Sequence, residues 1–294
     1  MRVAVITPRA KAPVSRAIID ALKNRGVTVI KLNPGRLSLD IDGSNPDVVS
    51  KYFSDGEPRV AIVRGIGTSK VKKIYNRLGI IGMFESCGVR VVNSRSCLEA
   101  STNKALTSLA LAKAGVPTPR TIVCEGYKNA IKAFDNLGGD VVLKPLFGSK
   151  GIGVMHLFDE GFASNIFYNL ERMDEVFYLQ EYVEHGNSDI RVMVLGDEAL
   201  CAMRRTNEES SGNEWKTNVF AGATGKAIEP SREVARVAVE ASRAVGGVFT
   251  GIDILETPGG SPVVIEVNAV PGFTELQKTT TLDIAQAFVD HVLA

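Results

Sequence analysis

The chain has 294 residues, of which 45% are hydrophobic and 23% are charged, and its formal net charge is +1. This composition excludes global disorder and argues against a nucleic-acid partner, whose phosphates need a clustered excess of Lys and Arg. No uncharged apolar stretch is long enough to span a membrane, and the N-terminus lacks the apolar core of a signal peptide, so we expect a cytoplasmic protein without a membrane partner.

The first part of the chain alternates apolar strands with helices. Short apolar runs predict strands at 2–6, 27–32, 59–63 and 89–93. Apolar residues at helical spacing between these runs predict helices near 14–22 and 71–78. Continuous apolar strands separated by helices are typical of a parallel sheet that is covered on both faces. We therefore predict an N-terminal α/β domain over residues 1–95.

The pattern changes after this point. Ser94 is placed to cap one long helix that runs to about Ala114, and Val116-Pro117-Thr118-Pro119 then breaks the chain. Further strands are predicted at 120–124, 140–145, 153–158 and 176–183, and further helices at 127–137 and 161–172. We predict that residues 96–183 form a central lobe.

The last third is typical of an antiparallel sheet. Two pairs of predicted strands each flank a turn signal, one at Gly196-Asp197 and one at Pro258-Gly259-Gly260. These strands cover 189–195, 198–205, 249–256 and 262–268, and helices are predicted at 231–245 and 282–293. The polar residues 204–226 predict a mobile loop. We predict that residues 184–294 form a C-terminal lobe.

A glycine-rich turn follows Lys144 at the end of a predicted strand. The turn contains Gly148, Ser149, Gly151 and Gly153. Backbone N–H groups beside glycines can approach a polyphosphate closely, and a lysine supplies the counter-charge. The turn is not a Walker A loop, because that motif leads into a helix and here a strand follows. A plain β-hairpin with a glycine turn is the alternative at this stage.

Two carboxylates and one amide lie on neighbouring predicted strands. Glu266 and Asn268 are two residues apart on one strand and therefore project from one face, and Asp253 lies on the hairpin partner. Carboxylate and amide oxygens are ligands that Mg²⁺ prefers, with phosphate oxygens and water completing its shell. Three solvated side chains are the alternative, but isolated carboxylates on such apolar strands would be costly without a cation.

Two weaker signals accompany these motifs. The extended segment with Gln180, Glu181 and Val183 could offer backbone groups to an adenine, and the carboxylate of Asp189 could hold ribose hydroxyls. Several cations near the motifs could neutralise a polyphosphate, although each one taken singly is more commonly a surface residue. These cations are Lys104, Lys144, Arg204, Arg205 and Lys216.

Taken together, these motifs resemble the ATP-grasp superfamily and, within it, the RimK-like carboxylate–amine ligases. The resemblance covers roughly residues 90–290. It rests on NSRSCLEASTNK, VVLKPLFGSKGIGV, LQEYV with the following Asp189 and Arg191, AMRR, KTN with Asn218, TGIDILE and VIEVNAVPG. It implies an ATP-grasp fold, α/β with an α+β C-terminal part, after an N-terminal Rossmann-like pre-ATP-grasp domain.

The resemblance also implies roles for individual residues. Those implied for ATP are Lys104, Lys144, Gly148, Ser149, Gly151, Gly153, Gln180, Glu181, Val183 and Asp189. Those implied for Mg²⁺, with Mn²⁺ as a substitute, are Asp253, Glu266 and Asn268. Arg204 or Arg205, with Asn218, would face the transferred phosphate. Arg191 and Lys216 would contact the substrate.

Arg64 is a further candidate for the substrate. It ends a predicted strand, at the edge where α/β domains usually bind ligands, so it could hold a substrate carboxylate. A surface arginine is the alternative. The neighbouring Gly65-Ile66-Gly67 lacks the third glycine of the dinucleotide fingerprint, which disfavours a nicotinamide or flavin cofactor.

The family chemistry suggests the reaction. Phosphoryl transfer from ATP to a carboxylate would give an acylphosphate, and an amine would then form an amide with release of phosphate. RimK-like enzymes commonly add L-glutamate, and residues 268–280 are similar to the groups that act on pterin tails and on a ribosomal protein. We expect a small-molecule acceptor, namely a tetrahydromethanopterin-type or deazaflavin coenzyme tail. For the enzyme itself, we expect a homo-oligomer. The alternatives are a ligase for the C-terminus of a ribosomal protein and an ATP-grasp kinase for a small molecule.

Overall fold

The computed structural model describes residues 1–38, 58–67, 69–148, 151–207 and 224–294. Three predicted site residues, Ser149, Lys216 and Asn218, lie outside the described residues, as does most of the loop predicted over 204–226. Within the described ranges, none of the helices has the length and apolar character needed to cross a membrane.

The N-terminal sheet is parallel, which confirms the prediction. Its strands are β1 (Arg2–Ile6), β2 (Thr28–Leu32), β3 (Val60–Val63) and β4 (Arg90–Val92), in the spatial order β2-β1-β3-β4. Helices α1 (Pro13–Asn24) and α2 (Val71–Ser86) connect them. The two central strands, β1 and β3, are buried along almost their whole length, as expected for strands covered on both faces.

The long helix predicted from Ser94 is two helices, α3 (Arg95–Thr102) and α4 (Lys104–Lys113). Asn103 between them has an extended backbone, with φ −99° and ψ 108°, and its side chain accepts from the backbone N–H groups of the first turn of α4. The expectation of one helix was wrong because apolar spacing continues across Asn103, and an asparagine in a sequence does not show whether it caps a new helix. The break places Lys104 at the start of α4.

The central sheet is antiparallel and has its own core. Its strands are β5 (Thr121–Cys124), β6 (Val141–Lys144), β7 (Met155–Leu157) and β8 (Phe177–Glu181), in the order β5-β8-β6-β7. Helices α5 (Tyr127–Asn136) and α6 (Glu160–Glu171) pack against it through buried aromatic side chains, including Phe134, Phe167 and Phe177. The glycine-rich turn joins β6 to β7, as predicted.

The C-terminal sheet is antiparallel, as predicted. Its strands are β9 (Ser188–Leu195), β10 (Glu198–Thr206), β11 (Thr224–Ile228), β12 (Phe249–Glu256) and β13 (Pro262–Asn268), in the order β11-β10-β9-β12-β13. The helices that follow are α7 (Arg232–Ala244), α8 (Thr274–Thr279) and α9 (Ile284–Leu293). Both predicted hairpins are present. Strand β11 and helix α8 were not predicted.

Asn93, directly after β4, ties the N-terminal sheet to the C-terminal sheet. Its Nδ2 donates to the carbonyls of Phe249 and Ala269, at 2.7 Å each. Its Oδ1 accepts from the N–H groups of Val248 at 2.8 Å and Phe249 at 3.1 Å. These bonds fix the start of β12 and the chain just after Asn268, so a residue of the N-terminal sheet positions the predicted metal site.

We expect Asn93→Ala to lower the free energy of unfolding by about 2–4 kcal/mol, because it leaves several buried backbone groups without partners. Asn93 is only 2% exposed, so water cannot replace the amide. Urea denaturation measures the change, with Asn24→Ala at the exposed end of α1 as the control. A loss below about 1 kcal/mol, the size of one ordinary hydrogen bond, would contradict this role for Asn93.

Candidate functional site

A cavity of about 780 Å³ lies between the central sheet and the C-terminal sheet. Its volume is within the range of small-molecule sites. Most of the predicted site residues line it: Lys104, Lys144, Gly148, Gly151, Gln180, Glu181, Val183, Asp189, Arg191, Arg205, Asp253, Glu266 and Asn268. Residues that are far apart in the sequence are therefore brought to one place.

Three described candidates do not line this cavity. Arg204 alternates with Arg205 along β10, so it projects from the opposite face and pairs with Glu256 at 2.5 Å. Gly153 has φ +77°, and a Cβ there would lie 2.8 Å from Cγ of Pro145, so its part is to shape the turn. The guanidinium of Arg64 donates from Nη2 to the carbonyl of Pro271 at 2.5 Å, on the segment that leads from β13 to the cavity.

Two partly buried lysines bring positive charge to the cavity. Lys144 donates from Nζ to Oε1 of Gln180 at 2.6 Å, and Lys104 donates to the carbonyl of Gly148 at 3.0 Å. Burial lowers the pKa of both amines, that of Lys144 to about 8, and the negative charge of Glu266 opposes this shift. Both hydrogen-bond partners are neutral oxygens. The two positive charges are therefore free to neutralise an anion.

Gln180 holds Lys144 in place. Its Oε1 accepts from Lys144, while its Nε2 donates to Oγ1 of Thr121 at 3.0 Å and to the hydroxyl of Tyr178 at 3.1 Å. Because every polar atom of the buried amide is engaged, its orientation is fixed. In the structure, the side chain of Gln180 therefore positions the amine of Lys144.

The oxygen ligands predicted for a cation lie on the hairpin of β12 and β13. Asp253 is directly opposite Glu266, and Asn268 shares the face of Glu266. Burial and the charge of Asp253 raise the pKa of Glu266, against the effect of nearby Lys104, Arg191 and Lys144. Asn268 donates from Nδ2 to the carbonyl of Gly251 at 3.4 Å, which leaves its Oδ1 as the atom for a cation.

This donor set fits Mg²⁺. Carboxylate and amide oxygens are hard ligands, and the nearby lysines suit a phosphate that would complete the coordination shell. In the described part of the chain, no three His, Cys, Asp or Glu residues form a metal-binding group. The fit therefore depends on the amide of Asn268 as the third oxygen donor, beside Glu266 and Asp253.

Two arginines and two aspartates form a buried chain along the cavity wall, which we call the arginine–aspartate chain: Asp189, Arg205, Asp253 and Arg191. Arg205 donates from Nε to Oδ1 of Asp189 at 2.7 Å and from Nη2 to Oδ2 at 2.5 Å. Its Nη2 also lies 3.0 Å from Oδ1 of Asp253. Arg191 forms a bidentate pair with Asp253, from Nε to Oδ1 and from Nη2 to Oδ2, the latter at 2.7 Å.

Charge pairing in this chain governs the acidity of Asp253. Burial raises its pKa, but the charges of Arg191 and Arg205 outweigh burial, so the pKa lies below its ordinary value. Strand register explains the pairing, because Asp189 is directly opposite Arg205 and Arg191 is directly opposite Asp253. The sequence analysis assigned each of these four residues to the site, but it did not predict that they pair with one another.

The segment after β8 forms the other end of the cavity. Oε1 of Glu181 accepts from the N–H of Arg120 at 2.8 Å, and the carbonyl of Val183 lies 2.7 Å from Nδ1 of His185. The ring of Tyr182 stacks on that of His156, with ring centres 4.1 Å apart. Sequence reasoning included Tyr182 in the extended segment but gave no role to its ring, and it missed His185 as a cavity residue, because no spacing rule applies to such a segment.

The sequence analysis also missed apolar side chains of the cavity wall. Met203 lies two residues before Arg205 on β10, and Leu255 lies two residues after Asp253 on β12. The alternation of side chains along a strand could have identified both of them, once the charged residue of each strand was assigned to the cavity.

Comparison with known proteins agrees with this geometry. Residues 101–292 match the model of the RimK-like ATP-grasp domain. A tetrahydromethanopterin:alpha-L-glutamate ligase from Methanococcus maripaludis is 33% identical over 240 residues, which are 80% of this chain and 79% of that protein. An alpha-aminoadipate–LysW ligase, LysX, from Sulfolobus acidocaldarius is 32% identical over 248 residues, which are 83% of this chain and 86% of that protein.

A solved structure supports the fold. The crystal structure of a RimK domain protein ATP-grasp from Sphaerobacter thermophilus superposes with a TM-score of 0.75 over 100% of both chains, at 22% identity. This likeness confirms the predicted ATP-grasp fold. For this family, ATP and Mg²⁺ are the expected cofactors, and the cavity between the central and C-terminal sheets has the charges and oxygen donors that both require. The chain belongs to the RimK-like ATP-grasp family and is an ATP-dependent carboxylate–amine ligase.

Proposed function

We propose that this enzyme adds L-glutamate to a carboxylate on a coenzyme tail of the tetrahydromethanopterin or deazaflavin type. One observation carries the ligase chemistry: two lysines, two arginines and the oxygen donors Glu266 and Asn268 converge on one cavity. The relative named for tetrahydromethanopterin supports the coenzyme acceptor. The relative named for LysW is similar to nearly the same degree, so a protein acceptor must be part of the test.

In this proposal, ATP lies between the central and the C-terminal sheets. Lys104 and Lys144 hold its phosphates, and the turn from Gly148 to Gly153, with Ser149, covers them. The backbone at Gln180, Glu181 and Val183 meets the adenine. Asp189 lines the cavity and is proposed to contact the ribose.

Glu266 and Asn268, with Asp253, are proposed to hold Mg²⁺, which would neutralise phosphate charge as a Lewis acid. Arg205 then faces the phosphoryl group during its transfer. We prefer Arg205 to Arg204 because only Arg205 lines the cavity. Arg191 offers its planar guanidinium to the acceptor carboxylate, a geometry suited to two parallel hydrogen bonds.

The remaining substrate residues stay proposals. Asn218 would face the transferred phosphate, and Lys216 would contact the substrate, although both lie outside the described residues. Arg64 would contact the acceptor from the end of β3. Its Nε is buried and has no hydrogen-bond partner among the described residues, so it retains a donor for a ligand.

We also propose three structural units with boundaries at 1–95, 96–183 and 184–294. The core of the central sheet is a separate apolar cluster, which supports the middle unit. The first and last units share their apolar clusters, and one of these clusters also contains Leu98 of α3 and Leu111 of α4. We therefore propose that these parts move as one body and that the central sheet, with α5 and α6, opens and closes over ATP.

Release of ADP tests the function. The purified protein is incubated with Mg²⁺-ATP, L-glutamate and one acceptor at a time: tetrahydromethanopterin, the deazaflavin coenzyme, a ribosomal-protein C-terminal peptide, or LysW. We expect ADP release that needs both L-glutamate and a coenzyme acceptor, and product mass that increases by one glutamyl residue. ADP release without an amino acid would instead identify a kinase, and turnover with a protein acceptor alone would contradict the coenzyme tail.

The pKa of Lys144 predicts the alkaline limb of the pH profile. In the free enzyme, Lys144 is protonated below about pH 8 and loses its charge above it. We therefore expect kcat/KM for ATP to fall as the pH rises through about 8, since this parameter reports the free enzyme. In Lys144→Arg the cation stays charged, so the limb should move to higher pH even if the plateau is lower. An identical limb in both proteins would show that another group titrates.

A further inference from the structure

The charges of the arginine–aspartate chain balance one another in the structure. It contains two positive and two negative side chains, and both oxygens of Asp253 accept hydrogen bonds from arginines. Asp253 is also one of the three oxygen donors proposed for Mg²⁺. A guanidinium that is bound to a carboxylate competes with a cation for the lone pairs and the negative charge of that carboxylate. Arginine pairing and metal binding at Asp253 therefore oppose each other.

The two arginines differ in how firmly they are held. Arg205 also forms a bidentate pair with Asp189, and 6% of its side chain is exposed. Arg191 hydrogen-bonds only to Asp253 among the described residues, lines the cavity, and has 13% of its side chain exposed. A cation that binds to Asp253 would therefore release Arg191, while Arg205 would be kept in place by its pair with Asp189.

We propose that Asp253 and Arg191 form a latch: the divalent cation displaces Arg191 from Asp253 and so makes its guanidinium available to a carboxylate substrate. A released guanidinium in a buried cavity is costly until it meets an anion, and a carboxylate matches its paired donors. The cation and the carboxylate would thus each favour binding of the other. This inference rests on the metal site of the proposed function and adds the coupling between the two sites.

Coupling between two sites is reciprocal, so a carboxylate that pairs with Arg191 must also tighten binding of the cation. This can be tested without nucleotide or turnover by following free Mn²⁺ by its EPR signal. Glutarate serves as the carboxylate probe, the neutral glutaramide is its control, and free Mn²⁺ is calibrated in each solution. In the wild-type protein we expect glutarate to tighten Mn²⁺ binding by at least about fivefold, with no effect of glutaramide.

Variants then locate the effect. Arg191→Gln removes the competing cation, so it should bind Mn²⁺ at least about fivefold more tightly and lose its response to glutarate. Arg204→Gln is the matched control, because Arg204 is on the same sheet but faces away from the cavity, and it should behave like the wild type. Absence of the glutarate effect in the wild-type protein would overturn the latch, and this result does not depend on the folding of any variant.

A third variant separates failure of the latch from failure of the proposed metal site. Glu266→Gln should abolish the tight Mn²⁺ binding, because it removes a carboxylate ligand. If Glu266→Gln abolishes binding while glutarate has no effect on the wild type, the metal site stands and the latch is wrong. If Glu266→Gln leaves Mn²⁺ binding unchanged, the metal site itself is wrong, and the latch is overturned with it.

Discussion

Glu266→Gln should lower the rate of ADP formation by about a hundredfold to a thousandfold, the loss typical of one electrostatic contact to a transition state. Glutamine has nearly the same shape but no negative charge, so it weakens binding of Mg²⁺ and removes one negative charge that acts on Lys104 and Lys144. The rate is measured at saturating Mg²⁺-ATP, and restoration by raised Mg²⁺ or Mn²⁺ would locate the defect at the metal.

Glu198→Gln is the matched control for this variant. Glu198 is exposed at the start of β10, on the same sheet as Glu266, and it does not line the cavity. We expect it to keep wild-type activity. A Glu266→Gln protein that is folded and within about tenfold of the wild-type rate would contradict the assignment of the metal site, because a lost metal ligand costs more than that.

Arg205→Leu should lower the free energy of unfolding by about 3–5 kcal/mol, because it removes the bidentate partner of the buried Asp189 and one of the two arginines that pair with Asp253. Asp189 and Asp253 are 3% and 4% exposed, so water replaces the lost hydrogen bonds only in part. Arg191 would still pair with Asp253, but the bidentate partner of Asp189 would be gone. Urea denaturation at neutral pH measures the loss.

The pH dependence of this loss identifies its cause. Arginine pairing holds the pKa of Asp253 below its ordinary value, so the pairing stabilises the fold above that value and its contribution is lost as the pH falls through the lowered pKa. The gap between the wild type and Arg205→Leu should therefore narrow in acid. Arg204→Leu, whose partner is a half-buried Glu256, should cost less than about 1 kcal/mol. Equal losses in the two variants would contradict a special role for Arg205.

The architecture could be predicted from the sequence where strands are apolar or turns are explicit. Buried strands such as β1 and β3 are recognisable as continuous apolar runs, and the hairpins at Gly196 and Gly260 have turn residues with positive φ. The misses have physical reasons. Strand β11 is polar and largely exposed, so its only signal is its pairing with β10, which the sequence does not show.

The site could be predicted as a set of residues but not as a set of contacts. The spacing of Glu266 and Asn268 correctly indicated one shared face, since that follows from the geometry of a strand. The choice between Arg204 and Arg205 needed the register of β10 against β9. The hold of Gln180 on Lys144 needed the pairing of β6 with β8, which brings together residues 36 positions apart.

Transfer of an oxygen atom tests the central claim most directly, namely that a substrate carboxylate is activated by ATP. The acceptor that supports ADP release is prepared with ¹⁸O in its carboxylate and converted with Mg²⁺-ATP and L-glutamate. If the carboxylate takes the phosphoryl group and the amine then displaces phosphate from the acyl carbon, each phosphate released carries one ¹⁸O atom and the amide keeps the other. Phosphate without label, formed together with the amide, would contradict activation through an acylphosphate.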